Sequence, residues 1–168
     1  MQTATEENRP AKARLSMHVT DEAATERLGR TLADALVEGD CLLLDGPMGA
    51  GKSHLARAII RARLGDPDAE VPSPTYTLLN AYDADGVEIL HGDLYRLASA
   101  DEIEELGLDD AVGRAIILLE WPDRWASPPP RRMSVSIAVA PGGRGRDITF
   151  EPHGANWSAV VQTLRAFA

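Results

Sequence analysis

Residues 46–53 read Gly46-Pro47-Met48-Gly49-Ala50-Gly51-Lys52-Ser53, a complete G-x-x-x-x-G-K-[ST] phosphate-binding loop. Each residue type has a task its substitutes do poorly. The glycines let the backbone curl and turn successive N–H groups toward an anion. Lys52 carries a mobile charge that reaches β- and γ-phosphates, and Ser53 offers a small hydroxyl to Mg²⁺. A helix beginning at about Lys52 adds the positive end of its dipole. The flanks agree. Cys41-Leu42-Leu43-Leu44-Asp45 is a short apolar run suited to a buried parallel strand. After the loop, Leu55 and Ile59 share one face of the expected helix.

Outward from the loop, Thr20-Asp21-Glu22 reads as a helix start. Leu28, Leu32, Ala35 and Leu36 form the apolar stripe of that helix, and Gly39 is its stop. Past the second helix, residues 66–74 carry Pro67, Pro72 and Pro74 and read as loop. Residues 75–82 are β-prone, Asp83-Ala84-Asp85-Gly86 is a turn, and residues 87–91 return as a hairpin partner. Ser99 and Glu102 make a capping box for a short helix that stops at Gly107. Residues 115–120 are a second apolar strand ending in Glu120. Ser127-Pro128-Pro129-Pro130 is a connector. Strands are expected at 133–140 and 147–151, and a closing helix at 156–167.

The chain has 168 residues, the size of one domain. The net charge of −9 (17 basic, 26 acidic) argues against a broad nucleic-acid footprint. Arg57, Arg61 and Arg63 read as a solvated helix face. Cys41, the single cysteine, excludes an intramolecular disulfide and fits a reducing cytoplasm. No apolar run approaches the ~20 residues of a membrane span. Residues 1–14 are polar, lack the apolar core of a secretory signal and read as a disordered tail.

A phosphate loop alone only binds; phosphoryl chemistry also needs a metal ligand and a group that orients the nucleophile. Glu120 ends a buried strand, and ligands of open α/β sheets sit at the carboxyl ends of strands. Its bland alternative is an acid facing water. Asp93 follows the strand ending near His91 and reaches the same rim; its alternative is a turn cap or a pair with Arg96. Thr75, in Ser73-Pro74-Thr75, is a third candidate, presented by a proline-stiffened loop. The four histidines are scattered and show no metal-ligand spacing.

These pieces together resemble the TsaE family, P-loop ATPases of bacterial tRNA threonylcarbamoyladenosine synthesis. The resemblance is carried by the loop at 46–53, Ser73-Pro74-Thr75-Tyr76-Thr77-Leu78, His91-Gly92-Asp93-Leu94-Tyr95-Arg96-Leu97, Glu104-Glu105-Leu106-Gly107-Leu108-Asp109 and Leu119-Glu120-Trp121-Pro122-Asp123-Arg124, in the family's order. It implies an α/β, three-layer P-loop NTPase-like fold with a mixed, partly parallel sheet over residues 15–168. It implies a slow, partner-dependent Mg²⁺-ATPase that binds ATP/ADP. It further implies a cytoplasmic assembly with TsaB and TsaD that modifies adenosine 37 of tRNA, with no membrane. Carried onto this chain, Gly46 to His54 hold the nucleotide, with Lys52 on the phosphates. Ser53 and Glu120 hold Mg²⁺, Thr75 senses the γ-phosphate, Asp93 positions or deprotonates the attacking water, and Trp121 and Tyr95 couple the site to partners. Where Ser53 and His54 stand the family generally has Thr. Gly92 replaces a usually larger residue, which would loosen the strand bearing Asp93. The alternative reading is a small-molecule P-loop kinase, with residues 124–132 as its lid.

Overall fold

The computed structural model describes residues 14–168; the expected tail lies outside the described residues apart from Arg14. One seven-stranded sheet runs through it. In chain order its strands are β1 (Leu15–Val19), β2 (Cys41–Asp45), β3 (Leu79–Ala84), β4 (Val87–Asp93), β5 (Ile116–Glu120), β6 (Arg132–Val139) and β7 (Arg146–His153). In space the order is β1-β7-β6-β2-β5-β4-β3. The four central strands are parallel, and β3, β7 and β1 add antiparallel edges. The expected three-layer α/β fold with a mixed sheet is therefore present. Its two hairpins extend the parallel core, because their inner strands β4 and β6 join it directly.

Strand alternation sets the layers. Leu42, Leu44, Ile116 and Leu118 point into a core shared with α1 (Glu22–Ala35), α2 (Lys52–Leu64) and α5 (Ser158–Phe167). Cys41, Leu43, Ile117 and Leu119 point the other way, onto Leu94, Ile103, Leu108 and Trp125 around α3 (Ala100–Glu105) and α4 (Leu108–Ala111). Both faces of β2 and β5 are covered, which is why both read as unbroken apolar runs. Helices α1 and α2 touch where Gly29 faces Ala58: a Cβ at Gly29 would lie 2.4 Å from the Ala58 Cβ.

Several local expectations shift. Residues 74–77 form turns, not strand, and β3 begins only at Leu79. Pro74 lacks the N–H a strand would need, and Leu78 turns left-handed at φ 68°. The hairpin turn is Asp85-Gly86, both at positive φ, as a two-residue turn of this hand requires. The capping box at Ser99 forms as read. Strand β1 is too short to stand out in the sequence; it is stabilised by pairing with β7.

The three arginines of α2 are not a solvated face. Arg57 Nε donates to the Val71 carbonyl at 3.0 Å, and Arg61 Nε to the Ala69 carbonyl at 2.9 Å. Arg63 donates to the carbonyls of Ala33 and Leu36, at the C-terminal end of α1. Carbonyls of a loop and of a helix's last turn lack helical N–H partners, and a guanidinium fork satisfies them.

Candidate functional site

The phosphate loop joins β2 to α2, and its shape depends on its glycines. Gly46, Gly49 and Gly51 have φ of 150°, 79° and 109°. At Gly46 a Cβ would sit 2.3 Å from the Ile137 carbonyl oxygen, so β6 presses on the loop from below. The Ala50 N–H closes the loop on the Pro47 carbonyl at 3.1 Å. Met48 at the tip is exposed, while Ala50 is fully buried.

Lys52 opens α2, is nearly buried, and its ammonium donates to the carbonyls of Gly46 and Pro47. Its Nζ also lies 4.2 Å from the centre of the Trp121 ring. Burial pushes its pKa down, and the nearby carboxylates of Glu120, Asp45 and Asp93 pull it back up. Ser53 Oγ donates to both oxygens of Glu120, at 2.7 and 3.0 Å.

Glu120 does not face water: it is 2% exposed at the end of β5. In the parallel register it stands opposite Asp93 of β4, so two carboxylates reach the same rim. Asp93 is buried, and burial holds its carboxyl above the ordinary range, with Glu120 pushing the same way. Asp93 does cap a turn, accepting the Tyr95 N–H at 2.9 Å, but it does not pair with Arg96, whose guanidinium lies over the Tyr76 ring. Its other oxygen accepts from Thr75 Oγ1 at 3.5 Å, and Thr75 is held in turn by Ser73 Oγ at 2.8 Å. Gly92 does not loosen this strand. A Cβ there would lie 2.8 Å from a Leu119 methyl, so neighbouring leucines already fill the space.

Two contributors, His91 and Arg146, were not legible as such. His91 is buried and its Nε2 lies 2.7 Å from Glu120 Oε2. The available signal was its position two residues before Asp93 on one strand, which puts both on the same face. Trp121 adopts a left-handed φ of 56°, a strained turn that places its ring against Lys52 and 4.8 Å from Tyr95. Arg146 comes from β7 and reaches the loop from behind.

A cleft of about 370 Å³ lies over the loop, with Ser53, Thr75, Asp93 and Glu120 along one wall and Tyr95 and Trp121 along the rim. A second cavity of about 420 Å³ lies on the other side of Gly49–Gly51, between the start of α1, His54 and Arg146. His54 lines both and approaches the Glu22 carbonyl at 3.4 Å.

The cleft suits a hard cation carried in with a polyphosphate. A hydroxyl and a buried carboxylate converge at hydrogen-bond distance beside the loop, an all-oxygen donor set that Mg²⁺ prefers. Among the described residues no group of three or more His, Cys, Asp or Glu side chains would hold a metal alone. Mg²⁺ commonly takes one or two carboxylates and leaves the remaining positions to phosphate oxygens and water.

The model of the family described as Threonylcarbamoyl adenosine biosynthesis protein TsaE matches residues 19–148, which include the loop and every rim residue above. The chain belongs to the TsaE family. A TsaE relative of Rickettsia conorii, named tRNA threonylcarbamoyladenosine biosynthesis protein, is 42% identical over 106 residues, 62% of this chain and 60% of that protein. The TsaE of Haemophilus influenzae, under the same name, is 35% identical over 116 residues, 66% of this chain and 72% of that protein. The match to the Rickettsia conorii relative thus spans about three fifths of its length. In fold, the chain is similar to the crystal structure of YdiB from Bacillus subtilis, with a TM-score of 0.72 over 95% of this chain and all of that one, at 22% identity. Among the described residues no helix is long and apolar enough to cross a membrane.

Proposed function

We propose that this chain is a Mg²⁺-dependent ATP hydrolase that works with TsaB and TsaD in threonylcarbamoylation of adenosine 37 of tRNA, in the cytoplasm. The observation that carries the reading is the meeting of Ser53, Glu120, Asp93 and Thr75 beside a complete phosphate loop. Membership of TsaE supports the pathway.

In this reading Lys52 leaves the loop carbonyls for the β- and γ-phosphates, while the N–H groups at the start of α2 take the remaining oxygens. Ser53 and Glu120 would hold Mg²⁺, which when bound would offset phosphate charge. Asp93 accepts a hydrogen bond, then a proton, from the attacking water; a carboxyl raised by burial is a better base than an ordinary one. Thr75 reports the γ-phosphate, since its hydroxyl touches Asp93 and its loop continues into exposed Tyr76. Trp121 and Tyr95 pass that change to the partner-facing rim.

A kinase lid would need arginines free to reach a phosphate. Arg124 donates to the Leu97 carbonyl at 2.6 Å and Arg132 to that of Pro129, while Arg131 pairs with buried Asp40. The test is ATP hydrolysis with Mg²⁺, alone and with the TsaB–TsaD pair, scoring modified tRNA in parallel. Stimulation by the pair, with repeated rounds of modification lost in Lys52→Ala, is expected. Modification independent of this chain would overturn the reading.

A further inference from the structure

Arg146 belongs to a strand that takes no part in the catalytic cleft, yet its guanidinium ends on the phosphate loop. It opens β7 between Val19 of β1 and Val139 of β6. Its Nε donates to the Ala50 carbonyl at 2.8 Å and its Nη1 to the Gly145 carbonyl at 2.9 Å. Its Nη2 reaches the Gly49 carbonyl at 3.4 Å. The approach depends on a tight turn: Gly145 has φ 76°, and a Cβ there would sit 2.4 Å from the Val19 carbonyl oxygen. The β6–β7 turn is thus pinned to β1, and the arginine that follows is aimed at residues 49–51.

We propose that Arg146 is a positioning residue for nucleotide phosphates, acting through the loop backbone rather than on the ligand. A trans peptide unit holds its C=O and the next residue's N–H on opposite edges of one plane. The carbonyl of Ala50 shares its plane with the Gly51 N–H, so a bond that fixes the carbonyl on one edge aims the N–H on the other. A cation donating to that carbonyl also draws electron density through the amide and makes the N–H a stronger donor. The carbonyl of Gly49 shares its plane with the Ala50 N–H, which closes the loop on Pro47. One guanidinium therefore supports an N–H at the helix mouth and the bond that closes the loop. A loop built on glycines needs such support, because glycine alone leaves these units free to rotate.

Two other roles fit an arginine here: a plain stitch between β7 and the loop, or a contact to the nucleoside in the second cavity, which Arg146 also lines. Inorganic pyrophosphate separates them, since it has phosphates and no nucleoside. Calorimetric titration of ADP and of pyrophosphate would compare the full chain with Arg146→Gln and Arg146→Lys, with thermal melting alongside. Arg146→Gln is expected to weaken both ligands by the same factor, roughly ten- to a hundredfold, the loss of one charge-assisted contact. Arg146→Lys, which keeps the charge but not the fork, should recover part of it. The KM for ATP should rise more than kcat falls. Pyrophosphate binding that is unchanged in Arg146→Gln overturns the proposal, as does a lysine variant that binds no better than glutamine. The inference rests on nucleotide binding at the loop, and the two fail differently. An unsubstituted chain that binds neither ligand removes the nucleotide reading; one that binds both, alongside unaffected variants, removes only Arg146.

Discussion

The phosphate loop and the acidic rim face each other across one cleft and are built in opposite ways. The loop is eight consecutive residues whose shape follows from three glycines at positive φ and the start of a helix. The rim is Thr75, His91, Asp93, Glu120 and Trp121, drawn from a turn, two strand ends and a strained bend. The loop carries its phosphate-binding groups within those eight residues, and Arg146 braces their backbone from β7. The rim exists only because β4 and β5 lie side by side in a register that puts Asp93 opposite Glu120. The groups that bind are thus encoded mainly in one segment and those of catalysis by topology, and substitutions on the two sides should fail differently.

The largest separation is expected at Asp93. Asp93→Asn should keep ATP affinity within a few-fold and lower kcat by about 10²–10⁴, the usual weight of a general base. Its stability should move the other way. Burial raises the folded pKa of Asp93, so the stability tied to this group is full at acid pH and lost as pH rises through that raised value. At neutral pH the ionised carboxylate therefore costs the fold, and Asp93→Asn should melt at or above the unsubstituted chain. A lower melting temperature at pH 7 would break the contrast.

On the loop side, Lys52→Ala should weaken ATP and ADP binding by roughly a hundredfold, the loss of two charge-assisted contacts of about 1.5 kcal/mol each. Fluorescent-nucleotide titration would read it, and unchanged affinity would move the binding function off the loop.

Smaller effects sharpen the rim itself. Glu120→Gln should raise the Mg²⁺ needed for half-maximal hydrolysis. His91→Leu, which leaves Glu120 in place but removes its buried partner, should weaken metal binding by about tenfold. Mn²⁺ titration followed by electron paramagnetic resonance measures both, and an unaltered His91→Leu would reduce that residue to packing.

The smallest effect lies outside both regions. Gly29→Val forces α1 away from Ala58 and should cost about 1–3 kcal/mol, read as several degrees of melting temperature. The KM for ATP should hardly move, because the α1–α2 seam is scaffold.

Much of this was legible beforehand. The apolar runs at 41–45 and 115–120 announced buried strands, and the loop announced itself. Asp93 and Glu120 could be nominated as strand-end acids, yet nothing local placed them opposite each other. His91 looked scattered because its partner lies on another strand. The α2 arginines looked like a solvated stripe because their acceptors, Val71, Ala69 and the end of α1, are contributed by other segments. Residues 75–78 had strand-like side chains but sit after prolines, and the turn that results is what holds Thr75 against Asp93.

The sequence by itself determined the strand, loop and helix around Lys52, the capped helix at Ser99 and a hairpin turn within residues 83–86, which the structure narrows to Asp85-Gly86. Each depends on φ preferences and hydrogen bonds that close within a few residues. Tertiary structure alone decided that Glu120 meets Ser53 and His91, that Trp121 bends back over Lys52, and that Arg146 braces the loop. Those contacts depend on strand order and register, which are set by the burial of both sheet faces at once, and no short window of residues carries that information.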